Sequence, residues 1–377
     1  MAVQATLDIP EPRNRRQAME SQEWDEWRKA EETEMLEMVE NFVYKQVARS
    51  KDKLVVGTKM LYKRKIGQDG KVEKYKCRLF KLKDMGDAGY YMGCHITRNH
   101  KARELKFNQH LYVESMVKRF DVKKTTKIPA ASGVPTLLKA DESRNPEEKE
   151  EIRKFPYWDA VGAPMWTATM IRPDIACNVR AVARFCENPG AAHKKAVMKI
   201  FQYLLHKKGW GITYGGQGCG LCMEAYSDSD FGACLDTRRS VSGAVLMLAR
   251  GAINWHSRMR EVTASGTSQA EYVALSEVVK KVLFLRQVKE FMEPSMRVGA
   301  VNVFGDNEGA IKLATNKHAS RSTKQIDVKH HLVRDASDAR MVRVAYVRSE
   351  DQHADFLTKP LDMQKFYKHA KFILTVV

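Results

Sequence analysis

Asp228, Glu271, Asp306 and Asp355 are the residues of this 377-residue chain whose types and positions best suit chemistry. Asp228 ends the predicted strand LCMEAYSD, and Asp306 ends the predicted strand VNVFGD. Glu271 lies in the first turn of a long predicted helix starting near Ser268, and Asp355 in the first turn of a predicted last helix before Pro360. Strand ends are where an α/β sheet presents side chains to a ligand. Glu271 shares a helical stripe with Leu275, Val278, Val282 and Leu285, and a stripe of that spacing faces the core. It should therefore turn the glutamate towards the strand ends that carry Asp228 and Asp306.

Converging carboxylates repel one another and lose hydration, which is costly unless a cation compensates. An all-oxygen donor set suits Mg²⁺ or Mn²⁺. Two such ions about 4 Å apart activate a water and stabilise the leaving oxygen of a phosphodiester, so the chemistry implied is that of a nuclease. No Ser-His-Asp arrangement stands out, and no small-molecule cofactor is expected. Each acid also has a structural explanation. Asp228 suits a turn, Asp306 a helix N-cap, Asp355 the positive end of a helix, and Glu271 a capping box with Ser268.

The elements that must position these acids are legible as a pattern. After about residue 216 come three closely spaced strands, then helix, strand, helix, strand and helix, which implies a mixed α/β sheet with helices packed on it. Upstream, ESQEWDEWRKAEETEMLEMVENFV places Trp24, Trp27, Met35, Met38 and Phe42 at helical intervals. The segment LVVGTKMLYKRKIGQDGKVEKYKCRLF reads as a basic hairpin turning at Gln68-Asp69-Gly70. Such a hairpin suits a phosphate backbone, and equally a solvated two-stranded edge. A strand-turn-strand-helix stretch ends near Val122, and Pro129 to Pro156, with the charged run NPEEKEEIRK, reads as an exposed connection. Two helical patterns then lead to GWGITYGG, whose glycines suggest a boundary near 215 to 221.

With 44% hydrophobic and 9% aromatic residues the chain is a folded protein, and its formal charge of +18 favours polyanionic partners, nucleic acid first. Seven scattered cysteines, with one CxxC at Cys219 and Cys222 and no second pair, suit a reducing compartment better than a disulfide framework or structural zinc. The opening MAVQATLDIPEPRNRR has no apolar signal core, and no run of about 18 apolar residues follows. An intracellular protein, cytoplasmic or nuclear, is expected, with no membrane segment and no secretion.

The stretch YSDSDFGACLDTRRSVSGAVLMLARGAINWHSRMREVTASGTSQAEYVALSE closely resembles the start of the ribonuclease H domain of copia-type retrotransposon Pol polyproteins, and FGDNEGAIKLATN, RSTKQIDVKHHLVRD and YVRSEDQHADFLTKPL continue the match to about residue 362. The resemblance implies a ribonuclease H-like mixed five-stranded sheet with flanking helices. It further implies two Mg²⁺ or Mn²⁺ ions at Asp228, Glu271, Asp306 and Asp355, and hydrolysis of the RNA strand of an RNA/DNA hybrid. The family usually carries a glutamate two residues before the catalytic one, where this chain has Gln269. Arg238, Arg239, Arg321, Lys324 and Lys329 are candidates for phosphate contacts, since the backbone dominates affinity. His353 is a candidate for proton transfer or product release, or simply an exposed histidine.

Residues 11–42 and 54–79 resemble the beginning of the family's reverse transcriptase, and KLKDMGDAGYYMGCHITR through RFCENP its end. The middle is missing between about Phe80 and Lys81, and no adjacent Asp-Asp pair occurs to hold polymerase metals. The expected organisation is an N-terminal amphipathic helix region (1–50), a truncated α+β reverse transcriptase-like region without its palm and its packing core (51–215), a ribonuclease H-like domain (216–365) and a tail (366–377). Two functions compete: a metal-dependent ribonuclease H without polymerase activity, and a non-catalytic nucleic-acid-binding relic.

Overall fold

The computed structural model describes residues 10–40, 59–67, 72–80, 87–130, 137–260, 266–292, 299–315 and 327–377. They divide into two compact units, Met1–Asp87 and Ala88–Val377.

In the first unit, α1 (Arg15–Met19) is capped by Asn14, whose side chain accepts from the Gln17 amide. Helix α2 (Trp24–Glu40) packs on a hairpin of β1 (Lys59–Ile66) and β2 (Val72–Phe80). Trp27, fully buried, meets Tyr62 and Tyr75 edge-on at 5.5 and 4.7 Å between ring centres. Period-two alternation explains the docking, because Tyr62, Arg64, Tyr75 and Cys77 all fall on the face that α2 covers. The predicted turn at 68–70 and Phe42 lie outside the described residues.

The second unit holds two five-stranded sheets. One is antiparallel, in the order β12-β6-β5-β4-β3, built from β3 (Tyr90–Tyr91), β4 (Cys94–Asn99), β5 (Glu104–Asn108), β6 (Trp210–Gly215) and β12 (Thr375–Val376). The helices α3 (His110–Arg119), α4 (Pro146–Arg153), α5 (Tyr157–Met170), α6 (Ala176–Ala183) and α7 (Ala191–His206) lie between β5 and β6 in sequence. The charged run expected to be loop is α4. Asn145 accepts from the Glu148 amide, Pro146 opens the helix, and Glu147 and Glu148 fill its first turn, a start signal that outweighs the charge density.

The other sheet is mixed, in the order β11-β10-β7-β8-β9, from β7 (Met223–Ser229), β8 (Val241–Leu248), β9 (Gly251–Met259), β10 (Val301–Gly305) and β11 (Val342–Tyr346). The first three pair antiparallel, and β10 and β11 add in parallel on the other side of β7. This is the predicted five-stranded mixed sheet with flanking helices. Helix α8 (Thr267–Met292), with α9 (Glu308–Thr315) and α10 (Asp327–Asp338), covers one face, over Met223, Ala225, Ala244 and Leu246.

The opposite face of the same strands, Tyr226, Val245 and Met247, is equally buried, against a core drawn from α5, α6, α7 and the C-terminal segment. The expected boundary near residue 215 therefore falls inside one compact unit, and the 88–215 region is packed into a core that it shares with the strands and C-terminal segment that follow. Trp255 donates to the Ala168 carbonyl at 2.7 Å and Arg180 to Ser257 Oγ at 3.0 Å across that seam. The expected tail is structured too: α11 (Met363–Ile373) buries Phe366, Ala370 and Ile373, and β12 extends the antiparallel sheet. Among the described residues no helix is long and apolar enough to cross a membrane, and all seven cysteines are free thiols.

A buried ion pair ties the α5–α6 corner to α7. Arg172 donates from Nε and Nη2 to both oxygens of Asp174 at 2.9 and 2.7 Å and from Nη1 to the Lys207 carbonyl, while Tyr203 donates to Asp174. Arg172→Leu leaves Asp174 buried without its partner, and the expected loss is about 3–5 kcal/mol. Urea unfolding checks this, and an unchanged midpoint refutes it.

Candidate metal centre

Asp228 sits one residue before the end of β7, the central strand of the mixed sheet, and Asp306 directly follows the neighbouring parallel strand β10. Glu271 rises from α8, which crosses β7. It is the fifth residue of that helix, one residue deeper than expected and just past the first turn, because the helix starts at Thr267. Leu275, Val278 and Val282 are buried along the predicted stripe. One carboxylate oxygen from each of Asp228, Glu271 and Asp306 lies within 4.8 Å of the others, a grouping able to hold a metal ion.

The packing has a clear electrostatic cost. Burial first, then the nearby Asp355 carboxylate, pushes Asp228 up to about 7. Burial, then Asp228 and Asp306, pushes Glu271 up to about 9. Neutral donors offset part of this. Thr358 Oγ1 donates to Asp228 Oδ2, Ser349 Oγ donates to Asp306 Oδ2 at 2.8 Å, and the Ser229 amide donates to Glu271.

Asp355 opens a 3-10 turn, Asp355–Leu357, instead of the predicted helix. It belongs to the neighbourhood of Asp228, and Lys359 Nζ reaches its Oδ1 at 2.5 Å. Burial works against the Lys359 ammonium, but Asp355, Asp228 and Asp306 together raise its pKa. The turn is locked to β7, since Gln352 Nε2 donates to the Ser227 carbonyl at 2.9 Å from a fully buried position. Gly243 on β8, the register partner of Asp228, makes the approach possible. A Cβ there would lie 2.8 Å from Thr358 Cγ2 and 2.9 Å from Leu357 Cβ.

Other candidates are placed differently. Asp230, two residues after Asp228, accepts from the Val241 amide at 2.6 Å and so closes the β7–β8 loop. Arg238 and Arg239 are exposed on that loop, Arg238 with a φ of 54°. Arg321 and Lys324 lie outside the described residues, and Lys329 is on α10. His353 is no exposed histidine. It stacks on Phe372 at 3.6 Å between ring centres, its Nδ1 lies 3.1 Å from Nδ1 of His369, and burial followed by His369 lowers it to about 4. Sequence reasoning missed Ser349, Gln352, Thr358 and Lys359. The last two follow Asp355 at three and four residues, a spacing that one helical turn would have flagged.

Raised carboxyl pKa values mean that the folded protein holds protons the unfolded chain releases above about pH 4.5, so stability falls as pH climbs through 7 and 9. Without divalent ions the melting temperature should drop between about pH 5 and 9, and Mg²⁺ or Mn²⁺ should restore more of it at the alkaline end. Differential scanning fluorimetry with chelator and with metal checks this, and a metal-independent flat profile contradicts it.

No family model matches the chain. The retrovirus-related Pol polyprotein from transposon TNT 1-94 of Nicotiana tabacum is 33% identical over 308 residues, 80% of this chain and 23% of that one. The corresponding polyprotein from transposon RE1 of Arabidopsis thaliana is 27% identical over 298 residues, 78% of this chain and 19% of that one. Among solved structures, LC11-RNase H1 in complex with an RNA/DNA hybrid aligns with 36% of this chain and 93% of its own, at 15% identity and a TM-score of 0.27. The chain thus spans about a fifth of the length of the curated relatives it matches, and it belongs to the family of copia-type retrotransposon Pol polyproteins.

Proposed function

We propose that the Ala88–Val377 unit is a metal-dependent ribonuclease H that cuts the RNA strand of RNA/DNA hybrids, with no polymerase activity in the chain. The observation that carries this reading is the convergence of Asp228, Glu271 and Asp306 at the end of the central parallel strands, too closely packed to be comfortable without a cation. Asp228, Glu271 and Asp306 would hold two Mg²⁺ or Mn²⁺ ions, with Asp355 released from Lys359 to complete the set. Ions bound there would supply an activated water and stabilisation of the leaving oxygen. The chain's own part is positional: Thr358 and Ser349 fix which carboxylate oxygens remain available, and Gln352 holds the Asp355 turn against β7. Arg238 and Arg239, on the loop that leaves the Asp228 strand, would grip the phosphate backbone of the hybrid, together with Arg321, Lys324 and Lys329.

One observation favours a non-catalytic relic instead. The Lys359 ammonium already neutralises Asp355, and a proton on Glu271 would leave the cluster stable without any ion. Cleavage of a labelled hybrid by the full chain separates the readings. With Mg²⁺ or Mn²⁺ the RNA strand alone should be cut, chelator should stop it, and Glu271→Gln should lower the rate about a hundredfold or more. Hybrid bound but left intact by the folded wild-type chain rejects the enzyme and leaves the relic.

A further inference from the structure

The loop from Asp230 to Ser240, which joins β7 to β8, carries its own hydrogen bonds. The Arg238 amide donates to the Cys234 carbonyl at 2.6 Å, the Cys234 amide to the Arg239 carbonyl at 3.3 Å, and Thr237 Oγ1 to Cys234 Sγ at 3.1 Å. Arg238 closes this turn in the left-handed region, with a φ of 54°. A residue other than glycine keeps that conformation only where its surroundings enforce it, so the tip needs an anchor.

The anchor comes from the helices that precede the mixed sheet in the chain. Asp236 Oδ2 accepts from Arg184 Nη2 at 2.7 Å, and the two carboxylate oxygens share the Lys139 amide at 3.2 and 3.3 Å, at the start of the 3-10 turn Lys139–Asp141. Only 19% of the Arg184 side chain and 12% of the Asp236 side chain are exposed, so salt and water screen the pair less than an open surface contact. Both donors are themselves held in place. The Arg184 guanidinium lies 5.0 Å from the Phe185 ring centre, and Phe185 stacks on the buried His193 at 3.8 Å. His193 accepts the Gly190 amide at Nδ1, which leaves Nε2 to donate to the Leu138 carbonyl at 3.2 Å. Arg184 and the amide of Lys139 therefore hang on one network.

Asp236 turns inward, whereas Leu235, Thr237, Arg238 and Arg239 around it are exposed. We infer that Asp236 is a positioning residue for substrate binding: latched to Arg184 and the Lys139 amide, it presents Arg238 and Arg239 in a fixed place beside the acidic cluster. The helical region upstream then takes part in gripping a hybrid that it need not touch. A loop ordered before its ligand arrives spares the binding step the cost of ordering it. The inference rests on the proposed contact of Arg238 and Arg239 with the hybrid.

The test uses the full chain in chelator, so that no RNA is cut, and reads binding of a fluorescein-labelled RNA/DNA hybrid by anisotropy. Asp236→Ala should weaken binding about fivefold, although removal of a carboxylate beside two arginines would by charge alone strengthen it. Arg184→Ala shifts the net charge the other way and should weaken binding to a similar extent. The two changes together should cost no more than either one, since they open the same latch. Arg184→Lys keeps a charged donor and should keep most of the affinity. In a chain that also carries Arg238→Ala and Arg239→Ala, Asp236→Ala should have no further effect, and a loss through general destabilisation would persist there. Binding by Asp236→Ala as tight as the parent's, or an equal loss without the two arginines, overturns the inference. Every readout is taken without metal, so an inert centre leaves them all in place, and failure of the nuclease reading is separately visible as hybrid bound but uncut once Mg²⁺ is added.

Discussion

Three carboxylates held within 4.8 Å of one another repel, and everything around them is arranged to bear that repulsion. Two are almost completely buried, so water does little to relieve it. The hydroxyls of Thr358 and Ser349, the Ser229 amide and the Lys359 ammonium each reach one member of the acidic set. The 3-10 turn after Gln352 supplies two of these groups, which explains why its contact with β7 is so tight: Gly243 has to remain without a side chain for Thr358 to arrive.

The second condition is a rigid strand end. Strands β7 and β8 are covered on both faces, by α8 through Ala225, Ala244 and Leu246, and by the opposite core through Tyr226, Val245 and Met247. A strand clamped from both sides has little freedom to relax when its terminal carboxylate is crowded. Arrangement of acids on such a strand is one way to keep charges together that would drift apart on a loop.

Much of this was legible in the sequence. The four acids stood at element ends, the stripe of Leu275, Val278 and Val282 oriented Glu271 correctly, and the strand and helix order gave a five-stranded mixed sheet. What could not be read was non-local. The pattern of GWGITYGG marks a turn but does not say that the chain on either side shares a core, because Tyr226 and Val245 look the same whether their face meets solvent, a partner or α6. Charge density hid α4, although Asn145, Pro146 and Glu148 spell out its start. Local spacing showed nothing of the contacts from Gln352 and Thr358 to β7, which span 125 and 130 residues. His353 is not the exposed residue that its local sequence suggests, for its place is fixed by Phe372 and His369, from the segment expected to be a tail.

The double coverage of the mixed sheet also bears on modularity. A sheet with one solvated face can be lifted out of a polyprotein as an exchangeable cassette, whereas this one shares its second face with helices that precede it in the chain. Excision near residue 215 would uncover Tyr226, Val245, Met247 and Ala252 together with the flank of α11, an adhesive apolar surface in place of a folded border. A crossover between α7 and β7 would divide that shared core between two parents.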